Sequence, residues 1–106
     1  MSSSAEKKEK LRRYHHDYNL RRWYGITRAD YERMFQEQGG KCRICKFPER
    51  TLRKDGTPRE LSVDHDHATG QVRGLLCGRC NTSLGLLNEN EPSLLRSMSY
   101  LKEHKY

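Results

Sequence analysis

The chain has 106 residues, a length that suits one domain, and 33% of them are hydrophobic and 33% charged. Its net charge is +7, from 21 Lys and Arg against 14 Asp and Glu; this balance suits a polyanionic partner, most simply nucleic acid, and equally a basic surface that binds nothing specific. No run of about 18 apolar residues occurs, which excludes a membrane-spanning helix, and the opening MSSSAEKKEK lacks the apolar stretch of a secretory signal, so an intracellular location is expected.

A chain this small buries a modest core, and conformational entropy nearly cancels the gain. A staple would help, and four cysteines are present. In a reducing compartment disulfides are not expected, and paired cysteines are better read as metal ligands.

Residues 1–8 are Ser-rich and then charged, and are expected to fray. Residues 9–24, EKLRRYHHDYNLRRWY, place Leu11, Tyr14 and Tyr18 at helical spacing. Arg12, Arg13, Arg21 and Arg22 lie between the aromatics. That pattern fits a basic arm that grips phosphates, and equally an amphipathic helix with a solvated basic face. His15 and His16 have no ligand spacing to any cysteine and are read as surface residues. Gly25 ends this helix, and Thr27 with Asp30 forms a capping pair for the next, over residues 28–38. Tyr31, Met34 and Phe35 share a face of that helix and are expected in the core; Gly39-Gly40 stops it.

Lys41-Cys42-Arg43-Ile44-Cys45-Lys46 is a knuckle that lets two thiolates reach one ion. Residues 46–60 hold Pro48, Asp55-Gly56 and Pro58 and read as a loop, whose Arg50, Arg53, Lys54 and Arg59 either touch DNA or stay solvated. Residues 61–63 read as a short strand that delivers Asp64 and His65 to its end. Asp66 to Gly70 make the connection, with Asp66 read as a turn stabiliser, and residues 71–76 return as a second strand. Cys77-Gly78-Arg79-Cys80 is a second knuckle, and a helix is expected over residues 80–87. Pro92 opens a last helix to about residue 103, with Leu94, Leu95, Met98 and Leu101 as an apolar stripe.

The two Cys-x-x-Cys pairs, Cys42/Cys45 and Cys77/Cys80, are separated by 31 residues (46–76). Two such pairs suit tetrahedral Zn²⁺ in a closed, structural site. A thioredoxin-like redox pair would need a βαβ context that is missing. The site would tie the first knuckle to the junction of the second strand and its helix.

With the thiolates assigned, Asp64, His65, Asp66, His67 and Asn81 remain. Neighbouring side chains on a strand point to opposite faces, so Asp64 and His65 need a bend at the strand end to share a site. An Asp and an Asn offer hard oxygens to Mg²⁺, and a neutral imidazole can take a proton from water near neutral pH. One metal and one imidazole make a minimal phosphodiester-cleaving apparatus. The bland alternative is that Asp and His serve the turn and Asn81 caps a helix.

The run VDHDHATGQVRGLLCGRCN, with the upstream KCRIC, resembles the endonuclease VII-like phage recombination endonucleases of the His-Me finger (HNH) superfamily. The YGIT-x3-Y-x7-GGKCRIC stretch and the Leu84-Gly85-Leu86 segment resemble it too, so the likeness runs from about Tyr24 to Leu101. The resemblance implies a small α+β, zinc-stabilised domain with a ββα-metal core and flanking helices, residues 1–26 forming a basic arm and residues 27–106 the nuclease domain. It implies that His65 is the general base, that Asp64 and Asn81 hold a catalytic Mg²⁺ or Mn²⁺, and that His67 positions phosphate or substrate. It also implies a DNA partner, duplex or branched, and a host-cytoplasmic location if the chain is phage-encoded. The longer family members carry further C-terminal helices and act as intertwined dimers, which residues 93–106 are too short to repeat by themselves. The function expected is therefore a metal-dependent DNA endonuclease; the alternative is a non-catalytic zinc-containing DNA-binding module.

Overall fold

The computed structural model describes residues 3–103. Positions 1–2 of the expected frayed opening, and 104–106 of the final segment, lie outside them. In chain order the elements are α1 (Ser4–Asn19), a π-turn (Leu20–Tyr24), α2 (Arg28–Glu37), β1 (Ser62–His65), β2 (Val72–Leu76), α3 (Gly78–Leu86) and α4 (Glu91–Glu103). The result is a small α+β domain.

The opening is helical rather than frayed: the Ser3 hydroxyl accepts the Glu6 N–H at 3.1 Å, an N-cap that sequence periodicity alone had not suggested. No residue of α1 is buried. Its Arg12 is held at 2.6 Å by Glu9 and at 2.7 Å by Asp55 of the long loop, so that arginine is engaged within the protein. His15 is exposed as expected, whereas His16 is half-buried, with Nε2 3.0 Å from Glu60 and its ring edge-on to Tyr31. The π-turn then drives Leu20 into the core and carries Tyr24 towards the end of β1. Gly25 ends it at φ 68°, a left-handed conformation that glycine adopts at no steric cost.

The Thr27–Asp30 capping box forms in both directions, with bonds of 3.0 and 3.1 Å. Tyr31 is buried and its hydroxyl donates to the Leu61 carbonyl at 2.7 Å; burial pushes its pKa up. Met34 and Phe35 pack against the same core, as their spacing predicts. Gln38, just past the helix, does something its spacing did not reveal. Its Oε1 accepts the Leu75 N–H at 3.0 Å, and its Nε2 donates to the carbonyls of Leu75 at 3.0 Å and Lys41 at 2.8 Å. With the Arg43 N–H, also on the Leu75 carbonyl at 3.1 Å, it closes the outer edge of β2, which would otherwise be an unpaired strand edge.

β1 and β2 form an antiparallel hairpin with Ser62 opposite Leu76, Val63 opposite Leu75 and Asp64 opposite Gly74. His65 then pairs with Val72, so β2 carries one extra residue, Arg73, at that step. Asp66 stabilises the turn by accepting the N–H groups of Ala68 at 2.8 Å and Thr69 at 3.1 Å. Val63, Leu75 and Leu76 join Leu20, Tyr31 and Leu61 in a core that includes Cys42 and Cys77. Burial of Leu20 and Leu75, at 1% and 0% exposure, stabilises the fold by about 1.5–3 kcal/mol each.

α3 begins at Gly78, two residues before the expected start, because the Cys77 sulfur serves as its cap and accepts the Cys80 N–H at 3.5 Å. It packs on both strands, completing a ββα unit. α4 follows after Asn88–Asn90, with Pro92 in its first turn. Its apolar stripe is present, but Leu95, Met98 and Leu101 stay exposed. No helix is long and apolar enough to cross a membrane among the described residues.

Candidate metal and catalytic centre

The two knuckles converge. The sulfurs of Cys42, Cys45, Cys77 and Cys80 all lie within 4.8 Å of one another. A tetrahedron of thiolates around zinc, with bonds of about 2.3 Å, has edges of about 3.8 Å. The Cys45–Cys77 separation is 3.8 Å, and all four cysteines are free of disulfides. The cluster therefore has the donor chemistry and the size of a four-thiolate metal site.

Its electrostatics point the same way. Burial works against ionisation of Cys42, yet backbone N–H groups of Cys77, Cys45 and Ile44 outweigh it and bring the thiol down to about 6. Cys80 is pushed up to about 12, by burial and by the neighbouring sulfurs of Cys77, Cys42 and Cys45. A thiolate at Cys42 opposes ionisation of Cys80, and a cation among the sulfurs would relieve that opposition.

Glu49 links this cluster to α3. Its Oε2 accepts the Gly78 N–H at 2.7 Å at the start of the helix, and its Oε1 accepts the Thr51 N–H at 2.9 Å. Burial opposes its ionisation, but those backbone donors lower its pKa below the ordinary 4.5. A carboxylate at a helix N-terminus is favoured by the unpaired N–H groups there. Nothing in the sequence pattern had singled out Glu49.

The Asp-His residues lie at the end of β1 and on the turn that follows it. His65 ends β1, half-buried, with its ring centroid 5.5 Å from Tyr24 and 4.9 Å from His67. Neither of its ring nitrogens has a hydrogen-bond partner among the described residues. His67 is exposed on the turn. The structure thus brings the two imidazoles together and adds Tyr24, which sequence spacing had not connected to them.

Asp64 is buried, at 9% exposure, and its carboxylate is engaged. Arg73 donates to it from Nε at 2.7 Å and from Nη2 at 3.0 Å, and the same Nη2 donates to Glu89 at 2.9 Å. These bonds raise the pKa of Arg73. The cleft beside Asp64 is lined by Arg43, Ile44, Arg73, Gly74 and Leu84, and Asn81 is not part of that lining. Asn81 sits in the first turn of α3 directly after Cys80, exposed, and its carboxamide has no partner among the described residues. The only sequence signal for the Arg73 contact was a basic residue on the strand returning past Asp64. Glu89, 16 positions further on, had none.

The carboxylate of Asp64 and the carboxamide of Asn81 are both hard oxygen donors of the kind a divalent ion takes, the first already balanced by Arg73 and the second without a partner among the described residues.

Comparison with known proteins bears on the same residues. The sequence model of one family, Recombination endonuclease VII, matches residues 17–103. The chain is 44% identical over 81 residues to the Gene 59 protein of Mycobacterium phage D29, covering 76% of this chain and 46% of that protein. It is 44% identical over 79 residues to the Gene 59 protein of Mycobacterium phage L5, covering 74% and 44%. The chain thus matches less than half the length of these relatives. No solved structure matches.

Proposed function

The chain belongs to the recombination endonuclease VII family, and on that premise we propose that it is a metal-dependent endonuclease that hydrolyses phosphodiester bonds in DNA, nicking duplex or cutting branched substrates. The observation that carries this reading is the His65 imidazole: half-buried, beside Tyr24 and His67, and without a hydrogen-bond partner at either nitrogen among the described residues. An imidazole serving only the fold would find a hydrogen-bond partner when half-buried.

In this reading Cys42, Cys45, Cys77 and Cys80 hold a structural Zn²⁺, which fixes the start of α3 and with it Asn81. Asp64 and Asn81 hold the catalytic ion. That ion, Mg²⁺ or Mn²⁺, supplies Lewis-acid stabilisation of the phosphate and of the 3′ leaving oxygen when bound. His65 accepts the proton of the attacking water. His67, beside it, orients the phosphate. Arg21 and Arg22 lie on the π-turn next to Tyr24 without an ion-pair partner among the described residues, and they are available to the DNA backbone.

One observation favours the alternative, a non-catalytic zinc-containing DNA-binding module: Arg73 already neutralises Asp64. The deciding experiment incubates the zinc-loaded protein with supercoiled, linear and four-way-junction DNA, with Mg²⁺ or Mn²⁺ and with a chelator that spares zinc. Cleavage that requires the added ion is expected. Tight binding to all three substrates with no cleavage under any ion would assign the chain to the alternative.

A further inference from the structure

The contact between Arg73 and Asp64 is built by two backbone irregularities. The extra residue in β2 is Arg73 itself, and a bulge of this kind re-aims the side chain it carries. On the other side, Glu89 reaches the guanidinium because Asn88 and Glu89 both adopt left-handed backbone, at φ 53° and 54°. Non-glycine residues take that conformation at a cost, and a pair of them is over-determined by its surroundings.

The three side chains are not equivalent. That of Asp64 is 11% exposed, Glu89 26% and Arg73 38%, so the carboxylate of Asp64 is fixed inside and the guanidinium lies outermost. A buried carboxylate requires a counter-charge, and removing one without a substitute is costly. A divalent ion arriving at Asp64 supplies that substitute and competes with the guanidinium for the same oxygens. Arg73 Nη2 donates to Glu89 at 2.9 Å as well as to Asp64, and that second acceptor gives the displaced guanidinium a place to remain.

We propose that Arg73 is a resident counter-cation that occupies Asp64 until a divalent ion displaces it, and that Glu89 retains the guanidinium after displacement. Arg73 is then a positioning residue that sets the ion concentration at which the site fills. The inference rests on the reading of Asp64 as an ion ligand.

The test is calorimetric titration of Mn²⁺ into the full, zinc-loaded chain without DNA, with zinc content and circular dichroism as checks of folding. Arg73→Gln is expected to bind Mn²⁺ about tenfold more tightly than the wild type, because a nearby competing charge is gone. Arg73→Lys keeps the charge but loses the two-pronged contact, and binds about threefold more tightly. Lys8→Gln, which removes a positive charge on α1, leaves the affinity unchanged. Glu89→Gln weakens binding in the wild-type background and leaves it unchanged in the Arg73→Gln background, since Glu89 acts through Arg73. Unchanged or weaker affinity in both Arg73 variants overturns the proposal, and a Glu89 effect that persists without Arg73 overturns the role given to Glu89. If Arg73→Gln fails to retain zinc, Arg73→Lys decides alone. Asp64→Asn separates this inference from the reading beneath it. Loss of Mn²⁺ binding in that variant, with unaltered affinity in the Arg73 variants, removes the counter-cation and leaves the nuclease reading intact. Wild-type binding by Asp64→Asn removes Asp64 as a ligand.

Discussion

Two sets of candidate ligands, the four cysteines and the pair Asp64 and Asn81, stand in opposite conditions. The four sulfurs lie close together, within 4.8 Å, with a separation across the knuckles that suits a bound ion. The Asp64 carboxylate is instead occupied by Arg73, and the Asn81 amide faces solvent. The difference follows from how each set is positioned. Each pair of cysteines is set by one tight knuckle, and their short side chains leave little freedom once the backbone is formed. Asp64 and Asn81 sit on different elements, a strand and a helix, and long charged side chains compete for the first of them. A closed thiol cluster fits a role in holding the fold. A carboxylate held by an exchangeable partner fits a role in a reaction.

Breaking the closed cluster has the largest expected effect. Cys77 is at once a core residue, a cap for α3 and one of the four sulfurs. A structural zinc is worth on the order of 10–16 kcal/mol, against a whole-domain stability of about 5–15 kcal/mol. Cys77→Ser should therefore lose zinc and unfold, as measured by zinc stoichiometry and circular dichroism. A folded, fully active Cys77→Ser protein would refute the structural role.

The open side should respond in rate and not in stability. His65→Ala removes a side chain with no hydrogen bond, so its melting temperature should stay near that of the wild type. Plasmid cleavage should fall by about 10²–10⁴-fold while DNA affinity is kept. An undiminished rate would mean that the base lies elsewhere.

Gln38→Ala probes β2, which leads into Cys77 and pairs with the strand that carries Asp64. It leaves the N–H and carbonyl of fully buried Leu75 short of their side-chain partner, at an expected cost of about 1–3 kcal/mol in urea unfolding. A loss of less than about 0.5 kcal/mol would show that water replaces the amide and that the edge of β2 needs no side chain.

The smallest effect is one of pH. The pKa of Glu49 in the folded protein lies below the ordinary 4.5. Its contribution to stability is therefore fully present above about pH 4.5 and is lost as the pH falls through the lowered folded value. Glu49→Gln should melt lower than the wild type at neutral pH, and the gap should narrow below about pH 4.5. A gap that stays constant with pH would show that the Glu49 charge is not what holds the start of α3.

Much of the architecture was legible in residue order because its signals are local. The Thr27–Asp30 box, Gly25, the Gly39-Gly40 stop and Pro92 each act within a few residues of themselves, and the elements begin and end near them. The thiol cluster was equally legible, since Cys-x-x-Cys is a turn motif whose geometry travels with its spacing. The Ser3 cap and the early start of α3 at Gly78 are local too, but Ser3 stands in a Ser-rich opening with no apolar periodicity, and the cap of α3 is a cysteine, a residue type that seldom caps a helix.

What residue order could not express are contacts between residues far apart in the chain. Gln38 on Leu75 spans 37 positions, Glu49 on Gly78 spans 29, and Arg73 joins Asp64 to a glutamate 16 positions further on. Tyr24 reaches His65 only because a π-turn rotates it there. By itself the sequence determined most of the elements and the four clustered sulfurs, which depend on short-range backbone geometry. Only the tertiary structure decided that His65 is free and Asp64 is not, because the state of a charged group depends on which partners the whole fold brings to it.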